Sequence, residues 1–211
     1  MKPGGRLWLA LCACLALGSL FALVLPTAAL DWQPALAATE PWRWWTAAWV
    51  HWSTWHLAAN LAALALVAAL GRVAAVPAVI ALAWVVSWPL AQLSLLLRPE
   101  LTHFGGLSGL LHGGLTVVAV FVACTEVGRR RHIGLALIAG VATKIALEAP
   151  WGAALQQSNG VDIAIAPLAH LSGALWGAVC TLLALARGPE APPVSATPHH
   201  DTHTTTELET P

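Results

Sequence analysis

The chain has 211 residues, 58% hydrophobic and 9% charged, with ten basic residues balancing ten acidic ones. A soluble domain carries roughly 25% Asp, Glu, Lys and Arg, so this chain has too few solvated groups to cover a water-exposed surface. It has neither the polar excess of a disordered protein nor the basic face of a nucleic-acid binder. Cys12, Cys14, Cys124 and Cys180 lie in or beside apolar runs, with no CxxC or Cys/His spacing. They read as small apolar filler, and neither a metal site, a disulfide framework nor a cofactor is expected.

A membrane-spanning helix takes roughly 20 mostly apolar residues. The first candidate is Leu7–Leu30. Lys2 and Arg6 ahead of it and Thr27-Ala28-Ala29 near its end resemble the outline of a cleavable leader, but its apolar run exceeds the roughly 7–15 residues of a signal core. It is therefore kept as a span. The segment from Pro26 to Val50 carries Trp32, Trp42, Trp44, Trp45 and Trp49. In a chain with twelve Trp and no Tyr, it reads as an outer loop in the interfacial belt. Further spans are Trp44–Gly71, Val73–Leu97, Leu101–Thr125, a shorter one at Ile133–Leu147 that contains Lys144, and Ile163–Ala186. The runs are too long for strands and lack period-two alternation. From Arg187 the chain turns polar and rich in Pro and Thr, the composition of a disordered tail. The fold class is thus an all-α polytopic membrane protein with six transmembrane helices. Its organisation is residues 1–40 (first span and start of the outer loop), 41–186 (core) and 187–211 (tail).

Basic residues divide unequally between alternating loops. Lys2, Arg6, Arg72, Arg129, Arg130, Arg131 and Arg187 fall on one side, Arg43 and Arg98 on the other. The positive-inside rule places the larger set, and both termini, in the cytoplasm. The second, fourth and sixth spans then enter from the outer face.

Strongly polar groups inside spans are costly and turn toward the bundle interior. Here they are His56, Asn60, Ser108, His112, Lys144, Glu148, His170 and Ser172. Ser108 and His170 each follow the start of their span by seven residues, roughly 10 Å at 1.5 Å per residue, and Asn60 matches them if its helix begins near Ser53. Gly105, Gly109 and Gly113 form a bare stripe in the fourth span, and Gly173 and Gly177 form another in the sixth. Such stripes let two backbones close together, which would bring Ser108 and His170 into hydrogen-bond range. A serine hydroxyl becomes a nucleophile when an imidazole takes its proton. The oxyanion that follows needs donors, and Asn60, His56 one turn away, and the N–H groups opening the fourth span are candidates. Gly105 and Gly106 would let a substrate backbone approach. Lys144 and Glu148 read as an internal i,i+4 ion pair or as a Lys solvated through the bundle, and nothing in the sequence supports Glu148 as a carboxylate that orients His170. Asp162 lies too far from His170 along a helix to orient it. The expected machinery is therefore a Ser–His dyad.

These residues resemble the rhomboid family of intramembrane serine proteases. Gly106-Leu107-Ser108-Gly109 is similar to its GxSG nucleophile motif, and Ala169-His170-Leu171-Ser172-Gly173 with Gly177 to its AHxxGxxxG motif. His56-Leu57-Ala58-Ala59-Asn60 is similar to the HxxxN that lines the oxyanion hole, and Trp42-Arg43 to the WR pair of the first outer loop. Where many members place a Tyr that packs on the catalytic imidazole, this chain has His112, which could instead bond to Ser108. Ser-Gly-Leu-Leu-His-Gly and the Trp-rich front half resemble the rhombosortase branch. That resemblance implies a bacterial inner-membrane location. It also implies substrates that are single-span membrane proteins ending in a Gly-Gly motif, an apolar anchor helix and a basic end. The rival readings are a catalytically inactive rhomboid-like protein that binds membrane helices and a small transporter using its histidines as a relay.

Overall fold

The computed structural model describes residues 3–157 and 162–187. Lys2 and the tail from residue 188, expected from its composition to be disordered, lie outside the described residues. The elements are α1 (Pro3–Ala22), the short α2 (Arg43–Thr46), α3 (Thr54–Val73), α4 (Ala78–Leu93), α5 (Ser108–Thr125), α6 (Gly128–Leu147) and α7 (Pro167–Ala186), with single 3-10 turns between some of them. Among the described residues the only extended pairings are two isolated bridges, Trp32 with Phe104 and Gln156 with Ile165. The all-helical membrane fold is as expected.

The helix starts depart from the hydropathy runs, each for a local reason. The second span begins at Thr54 rather than Trp44, because extended Ser53 caps it, its Oγ accepting the His56 N–H at 3.2 Å. The fourth begins at Ser108 rather than Leu101, because Gly106 takes φ +131°, a conformation no helix contains. The sixth begins at Pro167 rather than Ile163, since the fixed φ of proline suits a first helical position. The first ends at Ala22, and Pro26 then leads into a 3-10 turn at Thr27–Ala29. Hydropathy therefore runs past helix ends into loops that are apolar for other reasons.

Among the described residues five helices are long and apolar enough to cross a membrane: α1, α3, α4 with the 3-10 turn after it, α5 and α7. The more polar α6 is as long as they are, and its 20 residues reach about 30 Å. It links the end of α5 to the loop before α7, and it begins at Gly128 and not Ile133. Its first turn carries Arg129, Arg130 and Arg131, whose long stems let the charges reach the interface.

Most of α5 is buried, and it is the hub of the bundle. It meets α7 backbone to backbone. A Cβ on Gly173 would lie 1.9 Å from the Gly109 carbonyl oxygen, and one on Gly177 would lie 2.6 Å from that of Gly113. Gly105, expected on the same stripe, instead precedes the helix and faces Val50. Not all tryptophans are interfacial. Trp8 and Trp84 are fully buried and packed together at 4.6 Å between ring centroids. Their indole N–H groups donate to the carbonyls of Val67 and Leu110. Trp42, Trp52, Trp55 and Trp151, on the loop face, are the exposed kind.

That face is tied together by polar contacts. Arg43, buried, donates to the Ala28 and Asp31 carbonyls and pairs with the carboxylates of Asp31 and Glu40. Trp32 and Phe104 exchange backbone hydrogen bonds of 2.7 and 3.0 Å, and the Gly106 N–H donates to the Ala47 carbonyl at 3.0 Å. The first loop thus holds the segment that delivers Ser108.

Candidate active site

Ser108 opens α5 and His170 sits in the first turn of α7. Because the two helices touch through glycines, the side chains at their near ends meet: Ser108 Oγ lies 2.9 Å from His170 Nε2. His170 is 4% exposed. The shared level is not an equal count from the helix starts, as hydropathy implied. Ser108 is the first residue of its helix, His170 the fourth and Asn60 the seventh.

His112 does not bond to the Ser108 hydroxyl. Its Nδ1–H donates to the Ser108 carbonyl at 2.7 Å, and its ring stacks on that of His170 with centroids 4.2 Å apart and planes 20° apart. Ser172, two residues beyond His170, donates its hydroxyl hydrogen to the Ala169 carbonyl and takes no part.

The far side of the His170 ring has a partner that the sequence reading set aside. His170 Nδ1 lies 2.6 Å from Glu148 Oε2, and the other oxygen of Glu148 pairs with Lys144. The expected dyad is thereby extended to a hydroxyl, an imidazole and a carboxylate in line. Glu148 is the C-cap of α6, and Ala149, at φ +47°, turns the chain off the helix immediately afterwards. Lys144 at i−4 had seemed a sufficient reason for Glu148 to be there. The signal that would have found it is the second oxygen: one ammonium leaves half of a largely buried carboxylate unsatisfied.

A second polar group lies under the start of α3. Burial holds the His51 imidazole down to about pKa 4. It is therefore neutral near pH 7, and its Nδ1–H donates to the Trp49 carbonyl at 3.0 Å. Its Nε2 is then an acceptor, filled by the Asn60 amide at 3.0 Å. The same amide nitrogen reaches His56 Nε2 at 2.9 Å. Both amide hydrogens of Asn60 are thus given to imidazoles, and the His56 proton resides on Nδ1, which is buried without a partner among the described residues. The sequence singles out His56 and Asn60 but not His51.

Between these groups is a cavity of about 290 Å³ whose lining includes Trp52, His56, Gly105, Ser108 and the stretch Ile163–Ala166. A hydrogen bond from Ser53 to Asp162 joins the α3 start to the loop that forms its far wall. A Cβ on Gly106 would lie 2.7 Å from the His56 ring, so glycine at that position is what lets His56 stand beside the nucleophile loop. The first helical turn of α5 also contributes N–H groups that have no intrahelical carbonyl.

A search of curated proteins returns no match. The model of the Rhomboid domain matches residues 38–187, well over half of the chain, including every residue of this site. The chain belongs to the rhomboid family, that of the serine intramembrane proteases.

Proposed function

We propose that this protein is an active intramembrane serine endopeptidase, with Ser108 as nucleophile and His170 as general base. The observation that carries this reading is the 2.9 Å contact between Ser108 Oγ and His170 Nε2 at the edge of a cavity. A substrate segment enters that cavity from the loop face. His170 Nε2 takes the Ser108 proton as Oγ bonds to the scissile carbonyl carbon. The oxyanion is met by donors at the start of α5 and by the His56 Nδ1–H, with Asn60 fixing the tautomer and tilt of His56. The C–N bond then breaks, and the proton on His170 Nε2 passes to the leaving amine. Water, deprotonated by His170, releases the acyl group. His112 packs on the His170 ring and holds its plane. A spanning helix must unwind before its backbone is reachable, and this favours substrates with glycine at the membrane edge.

The substrates are single-span membrane proteins carrying a C-terminal Gly-Gly motif, an apolar anchor and a basic end, processed at a bacterial inner membrane. The Ser-Gly-Leu-Leu-His-Gly stretch and the Trp-rich first loop support this assignment. To test the chemistry, purified protein is reacted with a fluorophosphonate probe. Wild type labels, Ser108→Ala does not label, and His170→Ala labels at least about 100-fold more slowly. Equal labelling of wild type and Ser108→Ala removes the nucleophile.

A further inference from the structure

We propose that Glu148 is a positioning residue that fixes the tautomer of His170, and that Lys144 decides how Glu148 can be replaced. This inference rests on the reading of Ser108 and His170 given above.

A neutral imidazole carries one proton on one of two nitrogens. Only the tautomer with the proton on Nδ1 can accept the Ser108 hydroxyl proton at Nε2. Glu148 Oε2, 2.6 Å from Nδ1, is an acceptor only, so it selects that tautomer. When Nε2 takes the Ser108 proton the ring becomes a cation, and the carboxylate beside it opposes the cost of that charge in a buried site. Glu148 keeps its negative charge and receives no proton in this step. The groups facing the ring are Ser108 and His112 from α5 and Glu148 from the end of α6. Lys144 stands one helical turn behind Glu148. The side chain of Glu148 is 16% exposed, that of His170 5% and that of Lys144 52%, so the carboxylate bridges a buried ring and a solvated ammonium.

Lys144 makes the arrangement testable, because an ammonium has donors and no acceptor. In Glu148→Gln the amide oxygen turns to Lys144. The amide NH2 then faces His170 Nδ1 and draws the proton onto Nε2. That is the tautomer that cannot take the Ser108 proton, so the isosteric change is worse than removing the side chain. In Glu148→Ala the ring is free to adopt either tautomer. In the double variant Lys144→Met with Glu148→Gln, the amide is released to turn its oxygen to Nδ1.

The experiment measures kinact and KI for fluorophosphonate labelling of the full chain, with thermal unfolding of each variant as a check on folding. The expected result is an unchanged KI and a kinact that falls at least about 10-fold in Glu148→Ala and further in Glu148→Gln. In the double variant kinact recovers to above that of Glu148→Ala. A carboxylate that merely joined α6 to α7 would give the opposite order, with Glu148→Gln the milder change. That order, or a double variant no faster than Glu148→Ala, overturns the inference. If Glu148→Gln does not fold, the comparison of the double variant with Glu148→Ala decides alone. Loss of labelling in Ser108→Ala together with wild-type labelling in Glu148→Gln sinks this inference and leaves the nucleophile intact. Equal labelling in wild type and Ser108→Ala sinks the earlier reading first.

Discussion

Several buried polar side chains here are joined in directed chains of hydrogen bonds. The clearest chain is Trp49 carbonyl, His51, Asn60 and His56, in which the neutral state of His51 sets the direction of every later bond. Protonating His51 puts a hydrogen on Nε2, facing the Asn60 amide, and the chain must then reverse or break. The His51 pKa is lowered in the folded protein from 6.5 to about 4, so the unfolded state binds more protons between those values. Its contribution to stability is present above about pH 6.5 and is lost as pH falls toward 4. Taking protein from pH 7.5 to 5 should therefore narrow the stability difference between wild type and His51→Leu by about 2 kcal/mol. Thermal unfolding in detergent at the two pH values checks this, and a difference independent of pH would contradict it. At this scale the sequence displayed Ser108, His170, His56 and Asn60 plainly, because a polar group in an apolar helix has few bland explanations. It displayed Glu148 but did not join it to His170, because Lys144 at i−4 already supplied a partner.

The seam between α5 and α7 decides whether the hydroxyl and the imidazole meet. It is built from four glycines that place each helix against the carbonyl oxygens of the other. The neighbour at such a position is backbone and cannot rotate away. Gly173→Val should destabilise the protein by about 3 kcal/mol or more and abolish fluorophosphonate labelling, since the helices must part. Gly140, on α6, has nothing within 4 Å of its missing Cβ, so Gly140→Ala should leave labelling intact and raise stability by up to about 1 kcal/mol through helix propensity. Unfolding and labelling of the two variants side by side separate a packing role from a general intolerance of change at glycine. The i,i+4 spacing of these glycines was legible in the chain. That Gly105 lies outside the stripe was not, because its exclusion comes from the positive φ of the next residue, Gly106, and from Val50 in a distant loop.

Across the whole molecule the loops divide by face. The residues that join loop to loop gather where α3, α5 and α7 begin: Arg43 with Asp31, Trp32 with Phe104, Ser53 with Asp162, and Arg98 with the Pro150 carbonyl. At the opposite face Gly4 lies against the turn from α3 to α4, at Val76–Ala78. By the positive-inside rule, the charge asymmetry between the faces, seven basic residues against two, predicts that the loop-rich face lies outward. In spheroplasts of a variant whose native cysteines are replaced, a cysteine introduced at Glu100 should react with a membrane-impermeant maleimide. One introduced at Arg130 should react only after lysis. The reverse pattern would invert the topology and place the cavity on the cytoplasmic side.

Composition and periodicity by themselves determined that this chain is an all-helical, multi-pass membrane protein, and which few polar residues must be hidden from lipid. These are properties of the chain that each segment carries alone, because the cost of placing a residue in hydrocarbon depends on that residue and its near neighbours. The ends of the helices were decided partly by caps and strained glycines that hydropathy averages away. Only the tertiary structure decided which polar group faces which. Whether Glu148 serves Lys144 alone or His170 as well, whether His112 meets the Ser108 hydroxyl or its carbonyl, and where the Asn60 hydrogens go are set by distances of 2.6 to 3.0 Å. Such distances arise where separate helices and loops converge, and no single segment of the chain contains them.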